Sequence, residues 1–353
     1  MIIFVGTYTK QTNSEGIYTL KFYEDEGTLG VLHTTQTENP SFLAVKNDML
    51  YAVNEAGDSA GYTRFSINED LSLGEKQRLQ QEGASSCHID TSNNGLYIAN
   101  YSSGDILCYL LASNKTICNA GSCSIDGLDR FSKKIHYTGS GPNEKRQKES
   151  HAHSVNVSPN KKHLIVADLG TDLLMIYDIL EDGTIKENET NATVHVGAGE
   201  GPRHLCYHPT LNKIYVVTEL LNNVIVLNYE PTTGKVEKED VFSILPEGLG
   251  VNSISAEVFL SYDAKFLYAS NRGWDGIAAF NVNDNGDISP VGYYEGFGKT
   301  PRSFLVSKDD NYFVIAYQDS DLIVVVKRNP ITGEMGEVVA SLKIPAPVCV
   351  IEL

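Results

Sequence analysis

The sequence predicts an all-β fold, a ring of seven four-stranded blades, and three observations lead to it. Short apolar runs alternate with turn-forming clusters along all 353 residues, an extended pair of strands recurs at a nearly constant interval, and each chain end holds only part of that unit. The apolar runs, rich in β-branched residues and tyrosine, fall at 2–5, 96–99, 164–167, 215–217, 224–227, 266–269 and 322–326. Between runs of this kind lie EDEGT, SPNKK, LEDGT, HPTLNK, EPTTG, NDNGD and NPITG, whose Gly, Pro, Asn and Asp suit tight turns. Nineteen tyrosines and twelve phenylalanines fit a pleated surface. No stretch sustains a 3.6-residue apolar period.

The repeat selects the ring. Its copies read PSFLAVKNDMLYAVNE (40–55), SSCHIDTSNNGLYIANY (85–101), HAHSVNVSPNKKHLIVADL (151–169), PRHLCYHPTLNKIYVVTE (202–219), NSISAEVFLSYDAKFLYASNR (252–272) and PRSFLVSKDDNYFVIAY (301–317). Each is a strand, a turn and a second strand, followed by a third such as DLLMIYDI or NNVIVLNY. The second-strand anchors Tyr51, Tyr97, Ile165, Tyr215, Tyr268 and Phe313 are spaced by 46, 68, 50, 53 and 45 residues, the period of a propeller blade. The tail PAPVCVIEL matches only the first strand of the unit, the head IIFVGTY the second and GIYTLKFY the third. Pairing Val348–Leu353 beside Ile2–Thr7 would complete a seventh blade and remove the open edges of the array. One domain spanning 1–353 is expected, with an inserted loop at about 118–148, the most basic stretch of the chain. That loop is either a solvated surface excursion or a rim element that recruits an anion.

Composition narrows the function. The net charge is −17, against general binding of nucleic acid through phosphate contacts, although a local arginine cluster can still make a cationic pocket. The start MIIFVGTYTK has only seven residues before a polar break, too few for a leader or a span, so no membrane partner and a cytoplasmic location are expected. The six cysteines, at 87, 108, 118, 123, 206 and 349, show no CxxC and no regular spacing. They are expected to be free thiols, with Cys87 and Cys206 buried. GAGEGP (197–202) lacks the GK[ST] ending of a phosphate loop, and there is no GxSxG elbow. HAH (151–153) puts two rings on one side of a strand without evident further ligands, so no metal and no cofactor are expected.

Hairpin geometry gathers a polar set. Residues at the start of the first strand and the end of the second lie nearly opposite in an antiparallel pair, and all point to one end of the ring. The starts offer Ser41, Ser86, His153, Arg203, Ser253 and Arg302; the ends offer Glu55, Asn100 with Tyr101, Asp168, Glu219, Arg272 and Tyr317. Arg203 either binds an anion or makes an ion pair between blades. His153 is a candidate acid or base, with His151 beside it as the alternative. Glu219, opposite Arg203, is either a general base or that arginine's partner. Arg272 and, less strongly, Arg302 are candidate anion clamps. Glu55 and Asp168 either contact substrate or close turns. His88 and His204 are expected to pack between blades. Two arginines, a histidine and a carboxylate suit hydrolysis of an anionic lactone, and equally suit proton transfer that closes or opens one.

The motifs FVGTYT, HAHSVNVSPNKKHLIVADLG, GEGPRHLCYHPTLNKIYVVTEL, LYASNRG and TPRSF resemble those of the seven-bladed-propeller lactonases, and the resemblance spans 2–353. It implies a cytoplasmic enzyme that opens 6-phosphogluconolactone in the pentose phosphate route, with site residues falling on His153, Arg203, Glu219 and Arg272. The basic stretch at 118–148 is where the chain departs from that family, and it bears on the substrate more than on the fold. Two other readings stand: lactonising isomerisation of a carboxylated muconate, which uses the same clamp but delivers a proton, and a non-enzymatic propeller that binds a protein or a sugar. A broad apolar rim would favour the last.

Overall fold

Seven antiparallel sheets stand around a common axis in the computed structural model, which describes residues 1–112, 117–119, 122–124, 127 and 129–353. Blade 1 runs from its inner to its outer strand as Leu43–Lys46, Met49–Val53, Ala60–Ile67 and Leu73–Gln81. Blade 2 is Ser86–Thr91, Gly95–Asn100, Asp105–Leu110 and Arg130–His136. Blade 3 is Ala152–Val157, His163–Asp168 and Leu173–Ile179, its outer position shared by Ile185–Glu187 and Thr193–His195. Blade 4 is Pro202–Tyr207, Lys213–Thr218, Asn223–Tyr229 and Val236–Ser243. Blade 5 is Ile254–Leu260, Phe266–Arg272, Ile277–Val282 and Ile288–Tyr294. Blade 6 is Pro301–Val306, Tyr312–Tyr317, Leu322–Arg328 and Met335–Lys343.

Blade 7 is shared by the chain ends. Pro347–Glu352 pairs with Ile2–Thr7 in the register Phe4 to Ile351 and Val5 to Val350, and Gly16–Tyr23 and Thr28–Gln36 complete the sheet. The inner strands then touch one another in a closed circuit. Gly6 permits the closure: a Cβ there would lie 2.2 Å from the carbonyl oxygen of Pro40, which leads into blade 1.

The core lies between blades. Each blade interface holds its own buried apolar cluster, such as Phe4, Leu43, Leu50 and Phe65 between blades 7 and 1. Burying one such side chain contributes about 1.5–3 kcal/mol, so a blade without its neighbours would lose most of its stabilisation. The tyrosine anchors add a directional link. The hydroxyls of Tyr97, Tyr215 and Tyr268 donate to the carbonyls of Gly183, Gly286 and Gly333, each in the outer turn of the next blade, at 2.9, 2.8 and 2.9 Å. Ile165 cannot do this, and blade 3 instead reaches blade 4 through His163 Nδ1 and the hydroxyl of Tyr229, 2.6 Å apart.

Two expectations are corrected. The stretch 118–148 is not one inserted loop, because Arg130–His136 inside it is the outer strand of blade 2. A buried pair, Arg64 Nη1 with Asp129 Oδ1 at 2.7 Å, fixes the start of that strand to blade 1. Cys206 is only half-buried, while Cys87, Cys108 and Cys349 are buried, and these four are free thiols. The side chains of Cys118 and Cys123 lie outside the described residues.

Candidate active site

A register irregularity near the start of the inner strand recurs in blades 2 to 6. It falls between Ser86 and His88, Ala152 and Ser154, Pro202 and His204, Ser255 and Val258, and Pro301 and Ser303. The skipped residues in blades 3, 4 and 6 are His153, Arg203 and Arg302. A bulge re-aims the side chain that has no partner in the ladder, and here it turns three of them toward one end of the channel.

Glu219 is the centre of the cluster. It follows the second strand of blade 4, and its N–H donates to Gly201 O at 2.8 Å. Its Oε2 accepts from Arg203 Nε at 3.1 Å and from Arg272 Nη2 at 2.8 Å, and its Oε1 accepts from Arg146 Nη2 at 2.5 Å. His153 Nε2 lies 3.9 Å from Oε2. Burial alone would raise the Glu219 carboxyl, but the guanidiniums around it prevail and hold it below the usual carboxylate range. Burial, reinforced by Arg203, holds His153 well below its ordinary value, so its imidazole is neutral at pH 7. Burial also pulls Arg272 below its ordinary value against the opposing pull of Glu219, but a guanidinium remains a cation at neutral pH. His153 Nδ1 and Arg272 Nε are buried without a hydrogen-bond partner among the described residues.

A second group adjoins the first. Tyr8 donates its hydroxyl to Glu55 Oε2 at 3.0 Å and accepts from Arg302 Nη2 at 2.9 Å. Burial pushes the Tyr8 phenol up, so it stays protonated and able to donate. His151 stacks on Tyr101, with centroids 4.5 Å apart, and its Nδ1 lies 3.0 Å from the Tyr101 carbonyl.

Asp168 stands apart from the mouth, contrary to its candidacy as a substrate contact. Fully buried, it accepts from Ser150 Oγ, His151 N, Gly170 N and Thr171 Oγ1. Four donors occupy a carboxylate's lone pairs, so it closes its own loop. His88 and His204 are also corrected. They do not pack between adjacent blades: their centroids are 5.1 Å apart although blade 3 separates their blades, and Phe42 from the blade 1 side touches both. The contacts therefore cross the axial channel beneath the mouth.

Sequence reasoning missed Arg146, Tyr8 and Glu257. Arg146 is delivered by the segment after blade 2's outer strand. There Asn143 Oδ1 caps the N–H groups of Lys145 and Arg146, and the buried Gln147 donates to Leu169 O and Asp172 Oδ1. The basic character of that segment was the available signal. Asp172 also accepts from Gly199 N and Gly201 N, which ties the GAGEGP loop to the same support. Glu257 announced itself as a lone charge inside the apolar run ISAEVFL.

Of metal-type ligands, His153 and Glu219 are an adjacent pair in this cluster, and among the described residues no group of three or more His, Cys, Asp or Glu is placed to hold an ion. No helix of the described residues is long and apolar enough to cross a membrane.

Fold and site together define a seven-bladed β-propeller whose axial mouth is built on a carboxylate encircled by guanidiniums. The chain belongs to the seven-bladed β-propeller lactonase family, whose model matches residues 2–352. It is 31% identical over 356 residues to the 6-phosphogluconolactonase of Bacillus subtilis, covering 98% of this chain and 97% of that one. Among solved structures, a Lactobacillus plantarum protein aligns with a TM-score of 0.89 at 27% identity over 100% of both chains. The periplasmic gluconolactonase of Pseudomonas aeruginosa aligns with a TM-score of 0.86 at 26% identity over 99% of this chain and 98% of that one.

Proposed function

We propose that the protein hydrolyses 6-phosphogluconolactone at the channel mouth, without a metal or other cofactor. The observation that carries this reading is the charge balance there: Arg146, Arg203, Arg272 and Arg302 gather around Glu219 and Glu55 in a protein of net charge −17. Four guanidiniums against two carboxylates leave a cationic surplus that suits a phosphomonoester, which is close to a dianion at neutral pH. The similarity to the Bacillus subtilis 6-phosphogluconolactonase supports the same substrate.

In this reading Arg272 and Arg146 hold the phosphate, with Arg302 and Tyr8 lining the far side. His153 is neutral and takes a proton from water as the water oxygen bonds to the lactone carbonyl carbon. The carbonyl electron pair moves onto its oxygen, where Arg203 opposes the developing charge. Collapse breaks the bond to the ring oxygen, which recovers the proton from His153 and becomes the free hydroxyl of the acid. Both carboxylate oxygens of Glu219 accept from guanidiniums, which suits it to orient Arg203 and Arg272, whereas His153 Nδ1 has no hydrogen-bond partner among the described residues. The reaction lies in the pentose phosphate route of carbohydrate metabolism, and the proposed location is accordingly cytoplasmic.

The test is an initial-rate assay on freshly prepared 6-phosphogluconolactone, corrected for spontaneous hydrolysis, beside the unphosphorylated lactone. Preference for the phosphorylated ring supports the reading. Equal rates on both, or turnover of a carboxylated muconate alone, would replace it.

A further inference from the structure

Beneath the mouth lies a polar layer that the catalytic reading leaves unused: the buried His88 and His204 and the partly buried Glu257, with Phe42 against both histidines. Its geometry determines a hydrogen-bond direction. Arg203 Nη1 lies 3.2 Å from His204 Nε2, and a guanidinium can only donate. His204 Nε2 must therefore carry its lone pair toward Arg203. The ring is neutral, held well below its ordinary value by burial and by Arg203, so its proton sits on Nδ1. Nδ1 lies 2.9 Å from Glu257 Oε1 and donates to it. Glu257 is itself fixed, because Oε1 also accepts from Val258 N at 3.1 Å and the Glu257 N–H donates to Ser270 Oγ at 3.1 Å.

We propose that His204 and Glu257 form a positioning dyad for Arg203, setting the plane of its guanidinium from below while Glu219 sets it from the side. This deepens the lactonase reading and rests on Arg203 meeting the developing oxyanion. The bulge of blade 5 adds a direct contact and carries the acidic half of the dyad, since Ala256 O accepts from Arg203 Nη1 at 2.5 Å and the next residue is Glu257. Among the described residues Nη2 of Arg203 has no hydrogen-bond partner, which leaves it available to a ligand.

The dyad has a consequence in pH. Burial raises the Glu257 carboxyl to about 7, with Arg203 opposing. The groups facing it are Arg203, His204 and Cys206 on blade 4, His88 on blade 2 and Cys349 on blade 7. Burial keeps both thiols protonated and both histidines neutral. An ionised Glu257 makes His204 Nε2 a stronger acceptor for Arg203, and protonation weakens it. Turnover should therefore carry an acid limb that belongs to Glu257 and not to His153.

The experiment compares wild type, His204→Leu, His204→Gln and Glu257→Gln. It reads kcat and KM on 6-phosphogluconolactone across pH 5.5 to 8.5, and the tautomer of His204 by 15N NMR at pH 7.5. His204→Leu should lower kcat up to about 10²-fold, the scale of a misplaced catalytic group, with KM nearly unchanged. His204→Gln should recover most of it, because its side-chain oxygen can accept from Nη1. Glu257→Gln should remove the limb near pH 7. A kcat for His204→Leu within twofold of wild type overturns the proposal, as does Gln behaving like Leu. If wild type does not turn the lactone over, the lactonase reading fails and the NMR arm alone decides: an unprotonated Nε2 upholds the dyad and a protonated one overturns it.

Discussion

Arg203 and Glu219 meet at 3.1 Å, Nε to Oε2, although 16 residues separate them in the chain. The hairpin of blade 4 brings its two ends together, and the bulge at Arg203 turns the guanidinium toward the carboxylate. Both side chains are 3% exposed, so solvent screens the pair little. Removing one partner of a buried pair leaves the other charge uncompensated, which costs about 3–5 kcal/mol. Glu219→Gln should accordingly lower stability on that scale by chemical denaturation. Inorganic phosphate should then raise the midpoint of the variant more than that of wild type, because an anion can replace the lost charge. A variant as stable as wild type and indifferent to phosphate would contradict the arrangement.

Arg146 reaches the same carboxylate from outside the ring and remains about a third exposed. Its removal takes away a rim contact present before and after the transition state. Arg146→Ala should therefore raise KM several-fold with kcat nearly constant. A fall in kcat at unchanged KM would instead place it at the reacting carbonyl.

Acid should destabilise the protein well before its exposed carboxylates titrate. Burial depresses His88, His153 and His204, so all three are neutral in the fold but protonate near their ordinary value of 6.5 when unfolded. The unfolded state binds more protons, and stability is lost as pH falls below about 6.5. Each histidine contributes up to ~1.4 kcal/mol per pH unit. Glu257 acts in the opposite sense, because it is protonated in the fold up to about 7 but ionises above 4.5 when unfolded. For these four channel groups together, the net slope between those limits is at most that of two histidines, about 2.7 kcal/mol per unit. Glu219, lowered in the fold, adds a further loss only below its unfolded value of 4.5. Denaturation midpoints measured from pH 7.5 to 5 should hold down to about pH 6.5 and fall below it; a profile flat to pH 5 would mean the channel histidines are already solvated.

The tyrosine links between blades make a graded prediction. Tyr97→Phe, Tyr215→Phe and Tyr268→Phe each strip the donor from a glycine carbonyl while keeping the ring, and each should cost roughly 1 kcal/mol. Deleting 347–353 should do far more, since it removes a whole inner strand and both interfaces it closes. Denaturation of the four variants beside wild type checks the contrast, and equal midpoints for truncated and full chains would refute closure through blade 7.

The ring was legible because a blade repeats its strands, its turn and its anchor, so each copy reinforces the reading of the others. The split seventh blade followed from which part of the unit each end holds. His153, Arg203, Glu219 and Arg272 were legible because hairpin pairing relates the start of one strand to the end of the next. Arg146 was not, because it comes from a segment outside the repeat and no periodicity fixes where that segment folds. His204 was misplaced for a related reason. Alternation puts it on the face opposite Arg203, but the bulge between Pro202 and His204 breaks that alternation and turns it into the channel. Asp168 holds the place in its repeat that Thr218 holds in blade 4, paired with Ala152 as Thr218 is with Pro202, so it falls one residue short of the position of Glu219, and the hydroxyl and amide donors around it close a loop.

The central claim is that the mouth performs the hydrolysis with His153 as the base. The most direct measurement is kcat for wild type, His153→Ala and Glu219→Gln on fresh 6-phosphogluconolactone, with 6-phosphogluconate affinity measured on the same preparations. His153→Ala should lower kcat roughly 10²–10⁴-fold while still binding 6-phosphogluconate, with a smaller loss for Glu219→Gln. Near-full turnover by His153→Ala together with abolition by Glu219→Gln would contradict the assignment and pass the base to Glu219; full turnover by both would remove the reaction from the mouth.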